Sequence, residues 1–209
     1  MHTNPDPYLL WITSRAAGFA ALILASLGVS LGLLMSTKLL KGRGPDLRVA
    51  HETLALATIA ALLVHALSLL GDSYLRPTVF DLTIPFVSGY KTFWTSLGIV
   101  AGWGLVLLGL SYYARRAIGT TRWRKLHRFT ALAWIFGVVH ALGEGSDAGQ
   151  LWFLAMLAIV AVPALALLVT RMIGPRAAGP GEPVHRQPAA HPVRIPENAR
   201  PRETALTRA

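Results

Sequence analysis

Polar and apolar positions in this chain segregate by whole segments rather than residue by residue. Five apolar blocks recur, at about 9–35, 49–71, 93–114, 126–143 and 151–173, each long enough to cross a ~30 Å hydrocarbon core. Turn or charge signals bound them: "KGRGPDLR", "GDSYLRP" and "GEGSDAGQ". None shows the short alternating runs of a membrane β-barrel. The pattern predicts an all-α integral membrane protein, a five-helix bundle, because a helix satisfies its own backbone in lipid. The first block reads as a span and not as a cleaved signal. "MHTNPDPYLL" has no basic start, and the block exceeds a signal's apolar core. Pro163 falls inside the fifth block, where a kink is expected.

Composition agrees. Of 209 residues, 53% are hydrophobic and 14% charged, against roughly a quarter charged in soluble domains. Cysteine is absent, which excludes disulfides, thiolate metal sites and iron–sulfur clusters.

The net charge of +10 is placed unevenly. Lys38, Lys41, Arg43 and Arg48 lie between blocks one and two. Arg115, Arg116, Arg122, Arg124, Lys125 and Arg128 lie between three and four, and seven more arginines start at Arg171. The other two loops carry Asp72, Asp81, Glu144 and Asp147. The positive-inside rule puts the N-terminus outside and the C-terminus in the cytoplasm of a multi-pass cell-membrane protein. The basic residues then orient helices and meet membrane lipid, and nucleic acid is not an expected partner. Residues 1–173 form the transmembrane domain. Residues 174–209, rich in Pro, Ala and Arg, read as a disordered cytoplasmic tail. His185 and His191 belong to it. The segment 74–90 carries scattered large apolar residues; it either lies on the membrane surface or folds over helix ends.

Four of the seven histidines sit in or beside apolar blocks. His51 and His65 lie in the second, His127 and His140 in the fourth. These two spans run parallel in the predicted topology. Separations of fourteen and thirteen residues rise about 21 Å and 20 Å along a helix. Side by side, the spans offer two pairs at matched depth, His51 with His127 and His65 with His140. Two facing imidazoles hold a haem iron from both sides, and two such layers make a wire across the bilayer. A haem-free bundle with relay histidines, a transporter or scaffold, is the rival. A non-haem metal site would want three or more ligands, commonly with a carboxylate, and Glu52 is the only carboxylate inside a span. One conflict remains: fourteen residues return to within about 40° on a helix, but thirteen leave His127 and His140 about 140° apart. Span four is distorted, or it meets two haems from different sides.

Other residues suit the same chemistry. Gly137 allows either a flat macrocycle or a bare helix to approach. Gly28 and Gly32 form a GxxxG contact motif in span one. Trp134, midway between His127 and His140, either sits between haems, where it could assist electron passage, or is a core or lipid-facing residue. Arg48, Arg124, Lys125 and Arg128 flank the inner layer and are candidate propionate partners besides their topological role. Arg15, about two turns inside span one, needs a partner or must snorkel.

"SRAAGFAALILASLGVSLGLL" resembles the opening of the ferric reductase-like transmembrane domain family. "HETLALATIAALLVH" and "WRKLHRFTALAWIFGVVH" resemble that family's two haem-ligand helices, with its fourteen and thirteen spacing. "LTIPFVSGYKTFWTSLGIVAGW" and "GEGSDAGQLW" look like its short actinobacterial members. The same domain occurs in NADPH oxidases, iron reductases and the haem subunit of the periplasmic methionine sulfoxide reductase system. The resemblance implies two b-type haems, with His51 and His127 on the inner one and His65 and His140 on the outer one. It implies that Arg15 lies near the outer haem and acceptor site. It also implies electron flow outward, an oxidoreductase role without a catalytic residue of its own. The full reductases carry FAD and NADPH domains; here no GxGxxG follows. The donor is then a flavin reductase, reduced flavin or quinol, so flavin enters only through a partner. The acceptor is a ferric chelate, oxygen or a redox protein. Service to one dedicated extracytoplasmic enzyme or flavoprotein is the second reading.

Overall fold

The computed structural model describes residues 6–37 and 44–173. Among them there are helices and no strands: α1 Asp6–Thr37, α2 Gly44–Leu70, α3 Val79–Thr83, α4 Thr92–Leu110, α5 Arg115–Ile118, α6 Thr120–His127, α7 Thr130–Glu144 and α8 Leu151–Ile173. Five helical stretches are long and apolar enough to cross a membrane: α1, α2, α4, the α6–α7 stretch and α8. Lys38, Lys41, Arg43 and the tail 174–209 lie outside the described residues.

Helix limits follow local chemistry. α2 opens on Gly44-Pro45-Asp46, where proline lacks a donor the first turn does not need. α4 stops at Leu110, short of the expected 114. There Tyr112 and Tyr113 bond three residues back to Gly109 and Leu110, at 3.2 and 3.0 Å, and the tightened turn ends the helix. α8 continues on both sides of Pro163.

The span expected at 126–143 lies within the apolar helical stretch Thr120–Glu144, and its expected distortion is a break. It is two helices, α6 and α7, parted at Arg128–Phe129. Phe129 N donates to Leu126 O at 2.9 Å and Ala131 N to Arg128 O at 3.3 Å, both three residues back. A residue wound at about 120° instead of 100° turns everything after it by about 20°. That rotation acts in the sense that closes the 140° offset between His127 and His140.

Packing divides the bundle into close pairs. α2 lies on α1, α7 on α4, and α8 on α1, while α2 and α7 share little direct contact. The α4–α7 contact runs through glycines. A Cβ on Gly104 would come within 2.7 Å of Ala133, and one on Gly143 would strike the Trp94 ring. The core joins Leu22, Ala25, Val29 and Leu33 of α1 to Trp134 of α7 and Phe153, Leu157, Ala161 and Ala164 of α8. Large apolar side chains such as Leu63, Leu67, Leu107 and Ile159 are exposed on the outer surfaces, as a lipid-facing bundle requires. Arg171 of α8 donates to Ser36 Oγ of α1.

Segment 74–90 lies against α4. Trp103 Nε1 donates to Thr83 O at 3.0 Å and Phe86 N to Ser96 Oγ at 2.7 Å, while Tyr74, Phe80 and Phe86 are exposed. α3 begins with a capping box. Asp81 N donates to Thr78 Oγ1 at 3.3 Å, and Thr78 N donates back to the Asp81 carboxylate at 2.8 Å. Hydrogen bonds from the Thr78 hydroxyl and amide hold the Asp81 carboxyl below its ordinary range. A depressed carboxyl stabilises the fold above its unfolded value, and that contribution goes as pH falls through the folded value. We therefore expect the Thr78 and Asp81 amide signals to shift below about pH 3.9 as the cap opens. Asp81→Asn should remove that acid dependence in an NMR titration.

Candidate functional site

The four intramembrane histidines come from three helices: His51 and His65 from α2, His127 from the end of α6, and His140 from α7. The structure brings His51 and His127 together with ring centroids 6.2 Å apart and planes 85° from parallel. His65 and His140 lie within electrostatic range of each other. Each layer thus draws one imidazole from α2 and one from the α6–α7 stretch.

At one layer both rings are tied at Nδ1. His65 Nδ1 lies 2.8 Å from Ser14 O and 3.0 Å from Ser14 Oγ, and the same hydroxyl donates to His65 O at 3.1 Å. His140 Nδ1 lies 2.9 Å from Trp94 O. A carbonyl only accepts, so Nδ1 carries the proton and Nε2 keeps its lone pair. At the other layer the Nδ1 atoms of His51 and His127 are buried with no hydrogen-bond partner. His127 is stacked on Trp123, centroids 5.0 Å apart and planes at 24°. Trp123 Nε1 donates to Ser111 Oγ at 3.0 Å.

These residues fit haem. Two imidazoles bonded through nitrogen to one metal from opposite sides, at roughly 2 Å per bond, have centroids about 6 Å apart, close to the His51–His127 spacing. Among the described residues, no three His, Asp or Glu side chains come together as metal ligands. A bare ion held by two imidazoles would be under-coordinated. Haem iron brings four bonds with its macrocycle and needs two axial ligands.

The remaining candidates are placed as follows. Arg15 forms an ion pair with Asp147 in the α7–α8 loop and lies over the Trp11 ring, 4.2 Å from its centroid. Arg48, Arg124, Lys125 and Arg128 are exposed at the His51/His127 end. Trp134 is 1% exposed and donates from Nε1 to Ser26 Oγ at 3.0 Å, in the α1–α8 core. Gly137 and Gly28 face neighbouring helices: a Cβ added to them would lie 3.7 Å from Ala101 Cβ and 3.8 Å from Leu54 Cβ. Gly32 lies instead beneath His51. Glu52 Oε1 accepts from Tyr113 Oη at 2.6 Å, and this hydrogen bond pushes the phenol above its ordinary range. Ser14, Trp94, Trp123 and Asp147 were not legible as site residues from the sequence.

The Arg15–Asp147 pair yields a direct prediction. Asp147→Ala leaves the guanidinium without its partner and should lower stability by about 1–2 kcal/mol, less than for a fully buried pair. Arg15→Leu with Asp147→Leu should recover part of that loss in a thermal-shift cycle.

No family model, no curated protein and no solved structure matches the chain.

Proposed function

We propose that the chain is a di-haem b electron-transfer protein of the cell membrane. It passes electrons from a cytoplasmic or membrane donor to an extracytoplasmic acceptor. It is of the ferric reductase-like transmembrane kind its sequence resembles, with its N-terminus outside and its C-terminus in the cytoplasm. The observation that carries this reading is the His51–His127 pair, with a ring spacing suited to one shared metal. A second pair about 20 Å away along α2 and the α6–α7 stretch extends it across the bilayer.

His51 and His127 would hold the inner haem, and His65 and His140 the outer. When bound, the two haems supply one-electron chemistry at two depths. The protein's part is to hold, space and insulate. Ser14 and Trp94 present carbonyls that fix the tautomers of His65 and His140. Tight α1–α2 and α4–α7 packing keeps the ligand helices apart without letting them collapse together. Trp134 and the α1–α8 core keep water from the flank between the layers. Arg48, Arg124 and Arg128 supply positive charge for propionates at the cytoplasmic end. Arg15, oriented by Asp147, supplies it at the other. Flavin, if used, comes with the donor.

Transfer across sealed proteoliposomes tests the reading. With dithionite trapped inside and ferricyanide outside, haem-loaded protein should reduce the external dye. His65→Ala should cut that rate at least tenfold, and leakage equal to protein-free vesicles would contradict it. Rates that stay low with free ferric chelates but rise with one co-purifying partner would favour the dedicated-subunit reading.

A further inference from the structure

Three of the four histidines rest on a glycine of the neighbouring helix. An added Cβ on Gly18 would lie 3.1 Å from His65 Nδ1, and one on Gly32 3.1 Å from His51 Cε1. On Gly98 it would lie 2.6 Å from both Nδ1 and Cε1 of His140. Gly18 and Gly98 each stand four residues after the carbonyl that faces the same imidazole. Ser14 and Gly18 serve His65, and Trp94 and Gly98 serve His140; Gly28 and Gly32 have the same spacing beside His51, whose Nδ1 has no hydrogen-bond partner.

The register has a physical cause. A helical side chain leans toward the N-terminus and covers the turn before it, so residue i+4 shields the carbonyl of residue i. That carbonyl already accepts the i+4 amide but keeps a second lone pair. Glycine at i+4 uncovers this lone pair to a donor arriving from a neighbouring helix. Gly18 and Gly32 are fourteen residues apart on α1, and His51 and His65 are fourteen apart on antiparallel α2. One repeat on each helix therefore places both seats. At the fourth site Tyr112 stands where the glycine would be. Leu108 O is taken by the Ser111 hydroxyl at 2.6 Å, and His127 is held by stacking on Trp123 instead.

We propose that Gly18, Gly32 and Gly98 are positioning residues for the haem ligands: Gly18 and Gly98 each open a backbone carbonyl to one imidazole Nδ1, and Gly32 leaves room for the His51 ring against α1. This rests on the di-haem reading. Each glycine acts at one layer only: Gly18 and Gly98 set ligand orientation and basicity at the outer, Gly32 ligand orientation at the inner. A hydrogen bond at Nδ1 makes the ring a stronger donor and tunes the metal it holds.

The test compares purified, haem-loaded Gly18→Ala, Gly32→Ala, Gly98→Ala and Gly102→Ala. The last is a control, because a Cβ there meets nothing within 4 Å. Potentiometric titration and low-temperature EPR are read against His65→Ala, which marks the outer haem. Gly18→Ala should shift the midpoint and g-values of the outer haem alone, and Gly32→Ala those of the inner haem alone. Gly98→Ala should lose the outer haem, and Gly102→Ala should match wild type. Equal shifts at both haems, or none in Gly18→Ala and Gly32→Ala, would overturn the proposal. Histidine 15N NMR of haem-free protein separates this from failure of the haem reading. His65 and His140 should be Nδ1-protonated, and Gly18→Ala should change the His65 signal without haem. An unchanged signal counts against the seats even if the protein never binds haem.

Discussion

Replacing His140 with alanine is expected to lower haem content from about two to about one per chain while helix content stays unchanged. Each layer has two imidazoles and no third ligand among the described residues, so one substitution removes half of the axial set. His140 is also tied through Nδ1 to Trp94 O. Any haem retained at that layer is five-coordinate and should bind carbon monoxide, which the six-coordinate wild type should not. His127→Ala should give the same stoichiometry with the opposite layer lost. Pyridine haemochrome quantitation with carbon monoxide difference spectra checks both. Loss of both haems in each variant would mean that the layers do not form independently.

Trp134→Ala is the second large effect, and it falls on stability. The indole is 1% exposed, packs among α1 and α8 residues and donates to Ser26 Oγ. Removing a buried tryptophan side chain costs about 3–5 kcal/mol through lost contacts and the cavity left behind. The hydrogen bond alone is worth far less, about 0.6–2 kcal/mol inside a membrane bundle. Trp134→Phe, which keeps most of the volume, should therefore lose less than half as much as Trp134→Ala. Thermal unfolding in detergent measures both. Equal losses would mean that the hydrogen bond to Ser26 outweighs the packing of the ring.

The membrane spans were legible because hydrophobic runs of that length have few other uses. Their ends were less so. α4 stops at Leu110 because of three-residue-back bonds that no hydropathy pattern records. The 140° offset between His127 and His140 signalled a distortion of span four, and its place at Arg128–Phe129 required coordinates. Neither residue is a proline or glycine that would mark a break. The histidines stood out because imidazole is expensive in an apolar helix. Their seats did not, because glycine in a membrane helix has many roles. The matching fourteen-residue spacing of Gly18/Gly32 and His51/His65 was present in the sequence. It acquires meaning only once α1 and α2 are known to pack against each other. Arg15 announced that it needed a partner, but Asp147 lies 132 residues away, and no local pattern connects them.

The most direct test of the account is a dithionite-reduced minus oxidised spectrum of the detergent-purified protein, expressed with ample haem and quantified as pyridine haemochrome. The account predicts b-type bands and about two haems per chain. A protein with no Soret band would contradict it and leave a haem-free bundle with relay histidines in its place.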